Sequence, residues 1–182
     1  MAADIVHINI STGGKLPTGV TGLPGAEDHH ATGRYESTMN VSGAVAGRFR
    51  LSIFPDDMTV KGRIQDGTYP IFLGFHDPKK PQVSDLVVRT NGFRAVIVFN
   101  ANMPVPVLSN NPEKTSATEI HIHNGWWGWK TGLPMSEGCL LVHPDDWSPF
   151  ITLFLKGFPK LEQWSMNSGW VGQAIGFAVV SS

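Results

Sequence analysis

Short runs in which apolar and polar residues alternate recur along this chain of 182 residues. Alternation places every second side chain on the same face of an extended strand, so each run predicts a β-strand with one face in the core. Phe49, Leu51 and Ile53 share one face in this way. β-branched residues strengthen the prediction in several runs. The predicted strands are residues 4–10, 48–54, 59–64, 69–74, 86–89, 95–99, 118–122 and 174–180.

One segment has the features of a helix. Pro144 suits the first helical position, and Asp145 and Asp146 favour the positive end of the helix dipole. Apolar residues within 150–155 would form the buried face, and Gly157 would end the helix. The sequence therefore predicts a mainly β chain with one short helix.

Three segments lack the alternation and are predicted as loops. Residues 11–47 are rich in Gly, Ser and Thr, residues 100–117 contain three prolines, and residues 124–138 contain four glycines and three tryptophans. Glycine, proline and small polar residues in such density interrupt regular structure. We expect residues 11–47 to form a long loop or a loosely ordered extension.

Charge and composition exclude several classes of function. The net charge is −1, from 14 basic and 15 acidic residues without a basic cluster, so binding to nucleic acid through its phosphates is not expected. No apolar run is long enough to insert into a membrane. The first ten residues lack the basic and apolar regions of a secretory signal, so we expect synthesis in the cytoplasm without a signal peptide.

Cys139 is the single cysteine and cannot form an internal disulfide. Upstream, His121 and His123 alternate with isoleucines and would share one strand face. A free thiol, with a pKa of about 8.5, needs a neighbouring imidazole to become a thiolate nucleophile. Gly138 permits a sharp turn and a close approach of backbone N–H groups to an oxyanion. The competing interpretation is an inert, buried thiol beside a core strand.

These residues resemble a known catalytic motif. Residues 122–125 (Ile-His-Asn-Gly) and 134–140 (Pro-Met-Ser-Glu-Gly-Cys-Leu) are similar to the Ile-His-Gly, loop, Ser-His-Gly-Cys pattern of YkuD-type L,D-transpeptidases. The 16 positions from His123 to Cys139 lie within the range usual for that family. Residues 65–71 are similar to its Thr-Pro-Thr-Gly-Thr-Tyr segment. The Glu-Gly-Cys-Leu-Leu sequence is closer to a group of small phage-associated relatives.

The resemblance implies an L,D-transpeptidase-like β-sandwich or barrel, with one short helix after the catalytic cysteine. It implies an enzyme that acts on peptidoglycan stem peptides through an acyl-enzyme on Cys139, with His123 as general base and no cofactor. The backbone N–H groups of Gly138 and Cys139 would stabilise the oxyanion, and Ser136 would hold the loop. An amine would complete a transpeptidase reaction, and water a carboxypeptidase or endopeptidase reaction.

Two residues differ from the family pattern. Glu137 replaces the motif histidine before the glycine, and Leu141 replaces an Arg or Asn, so hydrolysis ranks at least level with transfer. The tryptophans of the loop could form an aromatic lip for substrate or anchor the loop on the core. His121 could orient His123 or line the cleft. The candidate substrate-binding residues are His121, Asn124, Trp126, Trp127, Trp129 and Glu137.

Two further hypotheses remain open at this point. His121 and His123 could bind zinc in a hydrolase, with Cys139, Glu137 or His143 completing the ligand set. The chain could also be a non-catalytic module that binds the cell wall through its tryptophans.

We expect residues 1–45 to be a loop-rich N-terminal extension and residues 46–182 to be the catalytic domain. A stem-peptide substrate lies in the periplasm or cell wall, so a chain without a signal peptide would need delivery outside the Sec route. An antibacterial effector or a phage-type enzyme would meet this condition. A secretion adaptor and an immunity protein are therefore candidate partners.

Overall fold

The computed structural model describes residues 5–11, 37–53, 55, 61–76, 94–99, 103–124, 136, 138–160, 163–164 and 173–182. Within these ranges the fold is mainly β, with one helix, α1, which follows the cysteine and spans Pro144–Gly157. The strands are β1 (Val6–Ser11), β2 (Ser37–Gly43), β3 (Gly47–Ser52), β4 (Arg63–Ile64), β5 (Gly67–Phe75), β6 (Arg94–Val98), β7 (Val105–Leu108), β8 (Ser116–Ala117), β9 (Ile120–Asn124), β10 (Leu140–Val142) and β11 (Gly176–Ser181).

Eight of these strands form a closed barrel in the order β1-β11-β5-β6-β9-β10-β3-β2, with β2 pairing back onto β1. The β1–β11 and β9–β10 pairs are parallel and the other pairs are antiparallel. Closure leaves no barrel edge open to pairing with another chain. Strands β4, β7 and β8 form a separate three-stranded sheet.

The core lies where the predicted alternation points. In β1, Val6, Ile8 and Ile10 are buried and the residues between them are exposed. Phe150 and Phe154 of α1 are fully buried in the same apolar cluster. The ring of Phe150 meets the ring of Phe49 edge-on, with the centroids 5.2 Å apart. The helix is therefore fixed to the barrel by aromatic packing.

The first turn of α1 is fixed to β3 by charge. Arg50 donates to both carboxylate oxygens of Asp146, with Nη2 to Oδ1 at 2.7 Å and Nε to Oδ2 at 3.0 Å. The Arg50 guanidinium lowers the pKa of Asp146, and the carboxylate raises the pKa of Arg50. The imidazole Nδ1 of His143 accepts from the N–H of Asp145 and caps the helix.

Two loop predictions are wrong in part. Within 11–47, Ser37–Gly43 is strand β2, whose Met39 and Val41 face the core although small polar residues surround them. Within 100–117, Val105–Leu108 is strand β7 and the short β8 follows. Tertiary pairing overrides the weak local signal in both cases.

Other element predictions have mixed outcomes. The predicted return strand 59–64 is a strand only at Arg63–Ile64 among its described residues. The predicted strand 86–89 lies outside the described ranges. Strand β10 is the core strand that the interpretation of Cys139 as an inert, buried thiol predicts. The boundary expected after residue 45 falls between β2 and β3, which pair in the same barrel.

Among the described residues, no helix combines the length and the apolar character that crossing a bilayer requires.

Candidate active site

The parallel pairing of β9 and β10 brings the predicted pair of residues together. Leu140 lies beside Ile122, and Leu141 lies beside His123. Ile122 and Leu140 belong to the core cluster, so alternation directs His123 to the opposite face of its strand. Cys139 immediately precedes Leu140 and shares that face. A parallel pair needs a crossover connection, which accounts for the long segment between the two strands.

A third residue, His76, completes the cluster. One ligand atom each from His76, His123 and Cys139 lies within 4.8 Å of the other two. The thiol is partly buried. The imidazole rings of His76 and His123 are stacked, with the centroids 3.7 Å apart and an interplanar angle of 13°. No motif in the sequence points to His76, which lies just after the strand predicted at residues 69–74.

The turn before the nucleophile candidate depends on glycine and serine. Gly138 has φ of +125°, a conformation that disfavours other residues, and an added Cβ would lie 2.9 Å from the carbonyl oxygen of Gly62. The buried Ser136 Oγ accepts from the N–H of Gly138 at 3.0 Å and donates to the carbonyl of Cys139 at 2.7 Å. Two hydrogen bonds and one backbone conformation therefore fix the position of Cys139.

The N–H of Gly138, which the resemblance assigns to an oxyanion site, donates to Ser136 Oγ at 3.0 Å in this structure. Its role toward an oxyanion stays a prediction.

His123 is oriented by the backbone next to it. Its Nδ1 lies 3.0 Å from the carbonyl oxygen of Asn124. A carbonyl oxygen can only accept, so Nδ1 carries the proton and Nε2 is left as the basic nitrogen. Burial, followed by the charges of His76 and His121, lowers the pKa of His123 well below 6.5, and the Asn124 carbonyl opposes the shift. A neutral ring is the form that can accept a proton.

His121 contacts His76 and lies on the same face of β9 as His123. The two Nδ1 atoms are 2.9 Å apart, so one ring donates to the other. On its far side, His121 Nε2 lies 3.3 Å from Glu119 Oε1 without the alignment of a hydrogen bond. Glu119 thus joins the site through two histidines. Glu119 lies two residues before His121 in the sequence, so its alternation with His121 and His123 is a signal that could have identified it.

Several buried polar atoms around the site have no hydrogen-bond partner within the described part of the chain. They are Nε2 of His121, Oε2 of Glu119 and Oδ1 of Asn124. An unpaired buried polar atom is unfavourable, and such atoms concentrate at functional sites. Glu119 immediately precedes β9 and shares the face of His121 and His123, which supports a site on that outer face of the strand.

The remaining candidates have different outcomes. Trp126, Trp127, Trp129 and Glu137 lie outside the described residues. His143, a candidate zinc ligand, caps α1 and is not part of the cluster found among the described residues.

The comparisons with known proteins give a remote likeness only. No protein-family model matches the chain, and no curated protein sequence matches it. Two solved structures align over nearly its full length. L,D-transpeptidase 1 of Mycobacterium tuberculosis has 10% identity and a TM-score of 0.35 over 97% of this chain, and an L,D-transpeptidase of Mycobacterium smegmatis has 11% and 0.35 over 98%. The chain spans 62% and 59% of their respective lengths.

Proposed function

We propose that this protein is a cysteine-dependent acyltransferase or hydrolase that acts on peptidoglycan stem peptides. The observation that carries the proposal is the placement of the Cys139 thiol beside His123, whose tautomer is fixed by the Asn124 carbonyl. The substrate class rests on the resemblance of residues 122–125 and 134–140 to the L,D-transpeptidase motif.

The reaction begins with a proton transfer. Nε2 of His123 takes the proton of the Cys139 thiol as the sulfur attacks a peptide carbonyl carbon. The tetrahedral intermediate then collapses, the C–N bond breaks, and the imidazolium returns the proton to the leaving amine. An acyl group remains on the sulfur as a thioester.

The second half restores the enzyme. An acceptor amine or a water molecule attacks the thioester carbonyl while His123 takes the proton of the attacking group. The C–S bond breaks, and the thiolate recovers the proton from the imidazolium. An amine forms a new cross-link, and water releases a shortened peptide. Both outcomes use the same two side chains, so the acceptor decides between transfer and hydrolysis.

The decisive experiment combines sacculus digestion with adduct detection. Purified protein is incubated with peptidoglycan, and the peptides are compared by mass spectrometry before and after exposure. A labelled carbapenem or an iodoacetamide probe reports acylation or alkylation of Cys139 in parallel. We expect new or lost stem-peptide products and a Cys139 adduct. The variant Cys139→Ala should show neither while retaining its circular dichroism spectrum.

The control is His7→Asn, which alters an exposed histidine on β1, remote in the barrel order from β9 and β10. It should match the unmodified protein in both assays. Full product formation by Cys139→Ala would refute the proposed function.

A further inference from the structure

The nucleophile candidate lies among atoms that bind zinc. A thiolate sulfur and imidazole nitrogens are the preferred ligands of Zn²⁺, which takes four of them in a tetrahedron. His76, His123 and Cys139 provide three such atoms within 4.8 Å of one another. Three protein ligands and one open position for water make a complete zinc coordination sphere.

The distances are near the required values. A tetrahedral zinc, with Zn–N of about 2.0 Å and Zn–S of about 2.3 Å, holds neighbouring ligand atoms about 3.3–3.6 Å apart. Closing the cluster from a maximum of 4.8 Å requires movements on the order of 1 Å. The stacked rings of His76 and His123 must also fan apart, because a metal bound in the plane of each ring cannot lie in two parallel planes.

The outer contacts strengthen the assignment. A histidine that binds a metal through one nitrogen usually holds its other nitrogen in a hydrogen bond to a carbonyl, carboxylate or similar partner. The Nδ1 of His123 donates to the Asn124 carbonyl, and the Nδ1 of His76 pairs with the Nδ1 of His121. His121 in turn faces the carboxylate of Glu119 at 3.3 Å. With Nδ1 of His76 as the donor to His121, Nε2 is the nitrogen of each ring that carries the lone pair a metal would bind.

We propose that His76, His123 and Cys139 bind one Zn²⁺ through Nε2, Nε2 and Sγ, and that the bound metal blocks the nucleophile reversibly. The thiol releases its proton to solvent as the Zn–S bond forms, and zinc gives up water ligands in exchange. Metal binding stands on the geometry alone, whereas the block on acylation rests on the proposed function. The same sulfur cannot hold zinc and attack a carbonyl, so the two states exclude each other.

The test uses the full chain, without a polyhistidine tag and freed of metal with a chelator. Titration with Co²⁺, which takes zinc sites and is coloured, should produce a thiolate-to-cobalt charge-transfer band and the intense visible bands of a tetrahedral site. Zn²⁺ added afterwards should remove both. Cys139→Ser should lose the charge-transfer band, and His76→Asn should weaken Co²⁺ binding by at least about 10-fold. His7→Asn should leave the titration unchanged.

Adduct formation by iodoacetamide provides the second measurement. Zn²⁺ should suppress alkylation of the metal-free protein, and a chelator should restore it. In His76→Asn the ratio of rates without and with Zn²⁺ should fall by about 10-fold or more, whatever its metal-free rate. His121→Asn should reduce the ratio less, because it removes only the outer contact.

The outcomes separate the two proposals. A cobalt spectrum without a thiolate band, or one unaffected by Cys139→Ser and His76→Asn, overturns the metal site and leaves the proposed function intact. If the metal-free protein is inactive on peptidoglycan until Zn²⁺ is added, zinc does not block the nucleophile and the proposed cysteine mechanism is wrong. The metal site itself would still be supported.

Discussion

The two ends of strand β10 hold histidines in opposite circumstances. Immediately after the last residue of β10, the imidazole of His143 caps α1, and the backbone N–H of His143 donates to the Arg50 carbonyl at 3.0 Å. Arg50 in turn forms a paired contact with Asp146, with half of the arginine side chain exposed to solvent. At the other end, Cys139 faces His123, in a region where several buried polar atoms have no hydrogen-bond partner among the residues that the structure describes.

The two surroundings distinguish a histidine in a structural contact from one in a proposed active site. Around His143 the polar groups are paired and charge neutralises charge, so the cluster stabilises the junction between helix and barrel. Around His123 a neutral ring is stacked on a second ring and lies beside a thiol. Such an arrangement stabilises little and groups proton-accepting and metal-binding atoms together, as sites of chemistry do.

The largest expected effect is on the rate of Cys139 acylation, when a histidine is replaced by asparagine near each end of β10 in turn. His123→Asn should reduce the rate of Cys139 acylation by about 10²–10⁴-fold, because a general base of this kind contributes that much. His143→Asn should stay within about twofold, since Asn also caps helices well. The measurement is the time course of the adduct by intact-protein mass spectrometry. Equal losses in the two variants would remove the distinction between the two ends.

A substitution in the turn before Cys139 should lower the stability of the protein as well as the rate of acylation. Gly138→Ala should lower the free energy of unfolding by about 1–3 kcal/mol, because it places a Cβ in a strained conformation and close to the Gly62 carbonyl. Urea denaturation followed by tryptophan fluorescence measures it. Acylation should fall in parallel as Cys139 is displaced.

Ser136→Ala sharpens the interpretation of that result. It removes both hydrogen bonds of the turn and should lower the free energy of unfolding by about 1–3 kcal/mol. Ser116→Ala, on the short strand β8, is the matched control and should change it little. A stable Ser136→Ala protein with normal acylation would show that the turn does not depend on this side chain.

The smallest expected effect is a pH-dependent change in stability at the Arg50–Asp146 pair, near the end of β10 that His143 follows. The pKa of Asp146 is lowered from its ordinary value of 3.8, chiefly by the hydrogen bond from Arg50. The unfolded chain therefore takes up the proton first. This contribution to stability is fully present above pH 3.8 and is lost as pH falls through the lower folded pKa.

Asp146→Asn should accordingly lower the melting temperature at pH 7. The difference in melting temperature between the variant and the unmodified protein should become smaller at acid pH. The decrease at pH 7 should be smaller than that caused by Gly138→Ala, since the ion pair is partly exposed. Thermal unfolding at a series of pH values measures both. A gap that is constant with pH would show that the carboxylate charge is not the source of the effect.

Local pattern predicted some of these features and not others. Alternation identified β9 and placed both of its histidines on one face, because period-2 burial is a local property. The helix that its proline and aspartates predict is confirmed. Strand β2 was missed because its polar, glycine-containing sequence is ordered by neighbours on both sides, β1 and β3.

The site shows the same limit at the level of single residues. Cys139 and His123 lie 16 positions apart in one sequence motif, so their proximity could be predicted from the sequence. His76 lies 47 positions before His123 and reaches it only because β5, β6 and β9 are consecutive strands of the barrel. Arg50 meets Asp146 across 96 positions for a similar reason. No short-range signal reports such contacts, since barrel register creates them.

The order of the strands has a consequence for synthesis on the ribosome. Strand β11 pairs with β1 on one side and β5 on the other, so the ring of strands stays open until residues 176–181 emerge. The strands that carry the histidines and the thiol are already contiguous by then, since β5, β6, β9 and β10 do not need β11 between them. The proposed catalytic groups can therefore assemble early, whereas completion of the barrel is a late event that joins distant parts of the chain.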